Sequence, residues 1–233
     1  SAGIGLACAR RFAAEGADLA LWARRAERLE SLAEELGREH GCTVHLDRVD
    51  VRDRDDVHRA ATALLEAAGP PHVLVNNAGL ASGLDPVQSG DFEDWDRMID
   101  TNVKGLLNVT RLLLPAMIDA GRGHVINIGS TAGHQVYPKG NVYNATKYAV
   151  TALTEAINLD VAGTPIRCSS VGSLSSGTRS ESPVPRLSNR ISREKDASRS
   201  RNAANLGSAQ KYSRCETHPM TKTMSIGPSP TTW

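Results

Sequence analysis

The chain reads as an α/β domain built on a doubly wound parallel sheet, and three observations carry that expectation. Five short runs of strand character alternate with stretches of helical period, the pattern of βαβ units joined by right-handed crossovers. Most of the helical stretches are ten to twenty residues long, the length such crossovers need. The whole chain has 233 residues, which suits a single domain burying about 70% of its unfolded surface.

The elements follow in order. Leu6, Ala9, Phe12 and Ala13 recur at helical spacing, and the stretch ends at Gly16, where a left-handed cap is expected. Asp18–Trp22 is then a short buried strand. A charged helix is predicted over 25–36 with Gly37 beyond it, and 43–49 alternates like a strand. The charged run Asp50 to Arg59 leads into a helix over 54–68 and reads as a solvated face. A strand over 72–76 precedes two amphipathic helices over 91–100 and 103–120. A strand at 124–128, a long helix over 141–160 and a strand over 166–171 complete the pattern. In such a sheet ligands bind at the carboxyl ends of the strands.

Charge and cysteine usage exclude several classes of partner. Lys plus Arg number 27 and Asp plus Glu 26, a net +1 that gives no reason to expect nucleic acid or an anionic membrane. Cys8, Cys42, Cys168 and Cys215 are far apart and form no metal-ligand pattern, so neither a zinc site nor a disulfide scaffold is expected. No run approaches the ~18 apolar residues of a membrane span, and no signal peptide is evident. The expectation is a cytoplasmic protein with no metal, no membrane and no nucleic acid among its partners.

The balance of charge hides a division. Residues 1–172 carry 17 basic and 22 acidic side chains, whereas 173–233 carry 10 and 4. The later segment holds 13 Ser but only nine of Leu, Ile, Val, Met and Trp, too few to offset the entropy of ordering it. Residues 172–233 are therefore expected to be a basic, Ser-rich tail, disordered or translated out of frame. Its scattered arginines, with Tyr212 the only aromatic before Trp233, do not make a nucleic-acid arm.

Three motifs carry chemistry. Gly3, Ile4 and Gly5 open the first helix, where glycines let a backbone approach a pyrophosphate and the helix N-terminus stabilises its charge. Arg24 and Arg25 follow the first strand at the place where a site for a ribose 2′-hydroxyl would carry an acid; paired guanidiniums suit a 2′-phosphate. Tyr143 and Lys147 stand at i,i+4 spacing on one face of the long helix, and Ser130 lies just past a strand. A free phenol titrates near ~10, so proton exchange near neutrality requires help. An ammonium at about 5 Å supplies on the order of 3 kcal/mol at an effective dielectric near 20. His134 invites a hydrolase reading, but no nucleophile elbow accompanies it. Pro138, Lys139 and Asn141 are placed by position alone at the substrate side, and Trp95 and Met98 are read as core.

Taken together, Gly3–Gly5, Asp50 with Val51, Asn76–Gly79, Asn102, Ser130 and Tyr143 with Lys147 resemble the short-chain dehydrogenase/reductase family over residues 1–171. The resemblance implies a single-domain Rossmann-type oxidoreductase with a catalytic Ser130/Tyr143/Lys147/Asn102 set. Ser130 would position the substrate, Tyr143 would exchange the proton, Lys147 would hold the nicotinamide ribose, and Asn102 would support a water-linked proton path. Asp50 and Val51 would flank the adenine, and Asn76, Ala78 and Gly79 would line the cofactor cleft. Arg24 and Arg25 would select NADP over NAD. Longer runs such as 126–133 and 140–143 look like the NADP-dependent 3-hydroxy acid dehydrogenases of that family, which oxidise serine or allo-threonine; carbonyl and 3-oxoacyl reductases share much of this wording. The family also implies pairing of helices near Asn102 and Asn141 in a homodimer or homotetramer of an intact parent.

The departures shape two further expectations. The strand that opens the family's sheet, and the turn, lid and last strand that follow Val171, have no counterpart in the sequence. A frameshift near codon 172 in a gene fragment is expected, with the two neighbours of the missing central strand left with unpaired edges and the polypeptide insoluble or inactive. Two alternatives to an enzyme, a nucleotide-binding sensor and an inactive fragment, share the fold; the complete Ser/Tyr/Lys/Asn set weighs against the sensor.

Overall fold

A computed structural model describes residues 3–172 and 221–225 of the chain. The expected alternation is present. Helix α1 (Gly3–Ala14), strand β1 (Asp18–Ala23), α2 (Ala26–His40), β2 (Val44–Arg48), α3 (Arg54–Ala68) and β3 (Val73–Asn76) form the first half. Helices α4 (Phe92–Ile99) and α5 (Leu106–Asp119), β4 (Gly123–Ile128), α6 (Asn141–Asp160) and β5 (Ile166–Val171) form the second, and β6 (Thr221–Ser225) follows from the far end of the chain. All strand pairs are parallel, in the order β2-β1-β6-β3-β4-β5.

The period of two along β1 decides which helices cover which face. Leu19, Leu21 and Ala23 meet Ala9 and Ala13 of α1 and Leu29, Leu32 and Leu36 of α2. Ala20 and Trp22 point the other way, into a larger core with α3, α5 and α6. A sheet covered on both faces in this way is the doubly wound Rossmann-type arrangement, and it has no room for polar side chains in its interior strands. One exception is a buried relay under β3 and β4. Asn76 donates to Thr110 and to Asn127, each at 2.9 Å, and Asn127 donates to Thr154 at 2.9 Å.

Three expectations are corrected. Helix α2 runs past Gly37 to His40 and ends on Gly41, whose φ of 66° supplies the left-handed cap. Gly37 sits inside the helix, where the nearest atom to an added Cβ would be 3.9 Å away. The two helices expected around residue 101 are one continuous run, because a wide π turn, Asp100–Gly105, joins α4 to α5 without a break.

The third correction concerns the centre of the sheet. No strand precedes α1 among the described residues, but β6 fills the place between β1 and β3, pairing Thr221–Ser225 with Asp18–Trp22 on one side and Lys222–Ser225 with Val73–Asn76 on the other. The two edges expected to be open are therefore paired, and residues 221–225 are not tail. Their backbone satisfies the neighbours without the apolar run that marks a buried strand. The remaining residues of the expected tail, 173–220 and 226–233, lie outside the described residues.

Candidate active site

The site residues predicted from the sequence lie at the N-terminus of α1, at or just beyond the ends of β1 to β4, in the π turn and on α6. At the first, Gly3 has φ of 60°, a backbone conformation that a side chain would strain, and nothing lies within 4 Å of where its Cβ would be. Helix α1 begins there, and its first N–H groups lack partners within the helix. Ile4 is exposed and Gly5 buried. Arg24 and Arg25, both exposed, follow β1. Asp50 lies beyond the paired end of β2, and Val51 is buried beneath Gly105, where an added Cβ would stand 2.6 Å from Val51 Cγ2.

The catalytic candidates are tied to one another through backbone and side chains. Lys147 is only 7% exposed, and its ammonium donates to the Ile128 carbonyl at the end of β4, at 2.9 Å. It stands 5.8 Å from the centre of the Tyr143 ring, as the shared helix face requires. Ser130 begins the single turn Thr131–Gly133, with its Oγ accepting from the Ala132 N–H at 3.2 Å. That turn rests directly on α6. A Cβ on Gly133 would come within 2.6 Å of the Lys147 carbonyl, so glycine there fixes how closely the serine turn approaches the lysine.

Asn102 occupies the π turn, an irregularity frequent at functional sites because it redirects one side chain out of register. Its Oδ1 accepts from Leu80 N at 2.8 Å, and its Nδ2 donates to the Leu80 carbonyl at 2.9 Å and to Thr146 Oγ1 at 3.0 Å. The loop after β3 is thereby held against α6. Gly79 sits inside this junction, where an added Cβ would be 3.3 Å from Asn102 Oδ1 and 3.6 Å from Lys147 Nζ. Ala78 packs against the larger core. The Nδ2 of Asn76 is committed to the buried relay while its Oδ1 is buried without a partner, so this side chain braces the sheet and Gly79 meets Asn102 and Lys147.

Three contributors are not among the residues that the sequence points to: Gly133, Thr146 and Gly172. The sequence assigns Gly172 to the tail, yet a Cβ on it would lie 3.0 Å from Ser130 N, which makes it a wall of the site. Gly133 sits in the quoted run 126–133, and a glycine three residues after the serine is the signal that could have found it. The cleft that these groups line suits an extended dinucleotide. A helix N-terminus, glycines that allow close approach and a buried ammonium using one of its three protons on Ile128 are the groups such a ligand needs.

Burial lowers the Lys147 pKa to about 8. An unfolded lysine titrates near ~10.4, which fixes a sign. Below pH ~8 both states are protonated and the cost of burying the charge is present in full. Between pH ~8 and ~10.4 the unfolded state binds more protons, so stability rises with pH by about 3 kcal/mol. Denaturant midpoints are expected to show this extra rise in the wild type and not in Lys147→Met. Parallel curves for the two proteins would disprove it.

Among the described residues no helix is long and apolar enough to cross a membrane, and no group of His, Cys, Asp and Glu is placed to hold a metal ion.

Comparison with known proteins agrees with the geometry. The NADP-dependent 3-hydroxy acid dehydrogenase YdfG of Salmonella typhi is 45% identical over 171 residues, 73% of this chain and 67% of its own length. Sulfoacetaldehyde reductase of Chromohalobacter salexigens is 47% identical over 169 residues, 72% of this chain and 66% of its own. The chain thus spans about two thirds of the length of these relatives. The crystal structure of serine dehydrogenase from Escherichia coli superposes with a TM-score of 0.69 at 41% identity, covering 73% of this chain and 78% of that one. The short chain dehydrogenase family model matches residues 1–183. A parallel sheet wound on both faces, a serine turn seated on the lysine helix and this match together place the chain in the short-chain dehydrogenase family.

Proposed function

We propose that this chain is an NADP-dependent dehydrogenase that moves a hydride between the cofactor and the hydroxyl-bearing carbon of a small 3-hydroxy acid, serine and allo-threonine among the candidates. The observation that carries the reading is the buried Lys147 ammonium, 5.8 Å from the Tyr143 ring on one face of α6. With that cation beside it, Tyr143 accepts the proton of the substrate hydroxyl in oxidation and returns it in reduction. Ser130 lends its hydroxyl proton to the same substrate oxygen; its Oγ already accepts from Ala132, and the proton has no acceptor among the described residues. Bound NADP supplies the hydride carrier. Lys147 holds the nicotinamide ribose with the protons not used by Ile128, and Gly3 to Gly5 admit the pyrophosphate. Arg24 and Arg25 take the 2′-phosphate, and Asp50 and Val51 flank the adenine. Asn102 keeps the β3 loop against α6 while the proton path runs beside it.

The names of the relatives support a substrate class. A 3-hydroxy acid and sulfoacetaldehyde each carry a reacting carbon next to the carbon that bears an anionic group. The test is a panel assay of the full chain, reading reduced nicotinamide with L-serine, allo-threonine, 3-hydroxypropionate and 2-hydroxyethanesulfonate, against uncharged alcohols of equal length. Turnover of an anionic member with NADP+ is the expected result. Activity confined to the neutral alcohols would move the reading to a general carbonyl reductase, and none with any substrate would leave an inactive fragment or a nucleotide sensor.

A further inference from the structure

The end of β2 carries an acid where the proposed cofactor brings its most concentrated negative charge. Ala23 is paired with Arg48, and Val49 N donates to the Ala23 carbonyl at 3.0 Å, so the turns that follow β1 and β2 start side by side. Arg48 Nε reaches the Arg24 carbonyl at 3.4 Å. Asp50 is close enough to Arg24 for that guanidinium to help hold its carboxyl below the usual range, although Arg52 does most of this. A phosphate seated on Arg24 would therefore have a carboxylate for a neighbour.

Arg52 meets that carboxylate along its whole edge. Its Nε lies 3.0 and 3.1 Å from the two Asp50 oxygens, its terminal nitrogen 2.6 Å from Oδ2, and its backbone N–H 3.1 Å from Oδ1. The backbone of Asp50 is fixed as well, since its N–H donates to Asp56 Oδ2 at 2.8 Å. Two neighbouring acids are already matched, Arg59 pairing with Asp47 at 2.7 Å and with Asp56 at 2.6 Å. Planar, bidentate pairing of this kind is what a guanidinium forms and an ammonium does not.

We propose that Arg52 is a specificity residue that acts through Asp50, cancelling its charge so that the 2′-phosphate of NADP can sit on Arg24. This rests on the reading that Arg24 and Arg25 receive that phosphate. Arg52 acts through the aspartate that it grips. Its removal leaves an unmatched carboxylate beside a group of charge about −1.5 to −2, and repulsion on the scale of Coulomb's law in a partly solvated site follows.

The test is calorimetric binding of NADP+ and NAD+ to the full chain, with no turnover. The wild type is expected to prefer NADP+, and Arg24→Gln to lose the preference; a wild type with no preference overturns the phosphate reading and the proposal with it. Arg52→Gln is expected to cut the NADP+ over NAD+ affinity ratio about tenfold, equal to about 1.4 kcal/mol, with NAD+ affinity serving as the check that the fold is intact. The loss should shrink as salt is raised. Adding Asp50→Asn to Arg52→Gln should restore the ratio, since adenine contacts are common to both nucleotides and cancel. An Arg52→Gln ratio equal to the wild type, or a double variant that stays as poor as the single one, overturns the proposal while leaving the phosphate reading in place.

Discussion

Tyr143→Phe is expected to lower kcat by roughly 10²–10⁴-fold, the usual contribution of a positioned acid or base, with little change in thermal stability. The substitution removes one oxygen and nothing else. The ring that faces Lys147 at 5.8 Å is kept, so the helix face and the buried ammonium keep their packing. Tyr143 is half-buried and its hydroxyl makes no hydrogen bond among the described residues, in contrast to Lys147, whose removal would take a donor from the Ile128 carbonyl. Steady-state kinetics with the best substrate from the panel, together with a melting curve, measure both halves of the expectation. A variant that turns over within about threefold of the wild type would remove the phenol from the mechanism.

The second large effect is structural. Deleting residues 219–233 is expected to abolish the soluble fold, because β6 is the only element between β1 and β3 among the described residues. Five residues of β1 and four of β3 would lose their partners at once. An unsatisfied buried backbone group costs about 1–3 kcal/mol, and a domain has only about 5–15 kcal/mol of net stability to lose. Thr223→Pro is the milder version. Thr223 stands between Ala20 and Leu74, and proline there removes a donor from the middle of the sheet. Fractionation of expressed protein and urea midpoints read the two variants. A Thr223→Pro protein as stable as the wild type would show that this segment is not part of the sheet.

What was legible in the sequence follows from where the signal is physical and local. The strands β1 to β5 were found within a residue or so of their ends because each is a short run shaped by a period of two or by burial on both faces, as in Leu19, Leu21 and Leu74. Tyr143, Lys147, Ser130 and Asn102 were visible because their chemistry depends on residue type and spacing. Gly172 and Thr146 are not, since their part is to stand close to Ser130 and to Asn102, and closeness between distant segments leaves no mark in a linear pattern. The π turn is not legible because its residues, Asp100–Gly105, have ordinary helical character, and the bonds that Asn102 makes from it reach Leu80 and Thr146, far away in the sequence. Strand β6 was missed for the opposite reason to β1: Thr221–Ser225 contains a single apolar side chain, Met224, so nothing in its composition announces a place in the middle of a sheet.

That central strand also sets the order in which the molecule can be made. Its partner residue Asp18 precedes Thr221 by about 200 positions, so β1 and β3 must wait, side by side and unjoined, until residues 221–225 have left the ribosome. Pairings of such long sequence separation are slow to form, and exposed strand edges in a nascent chain are prone to aggregate. Growth temperature and chaperone supply during expression should therefore govern the yield of native protein far more than its final stability does.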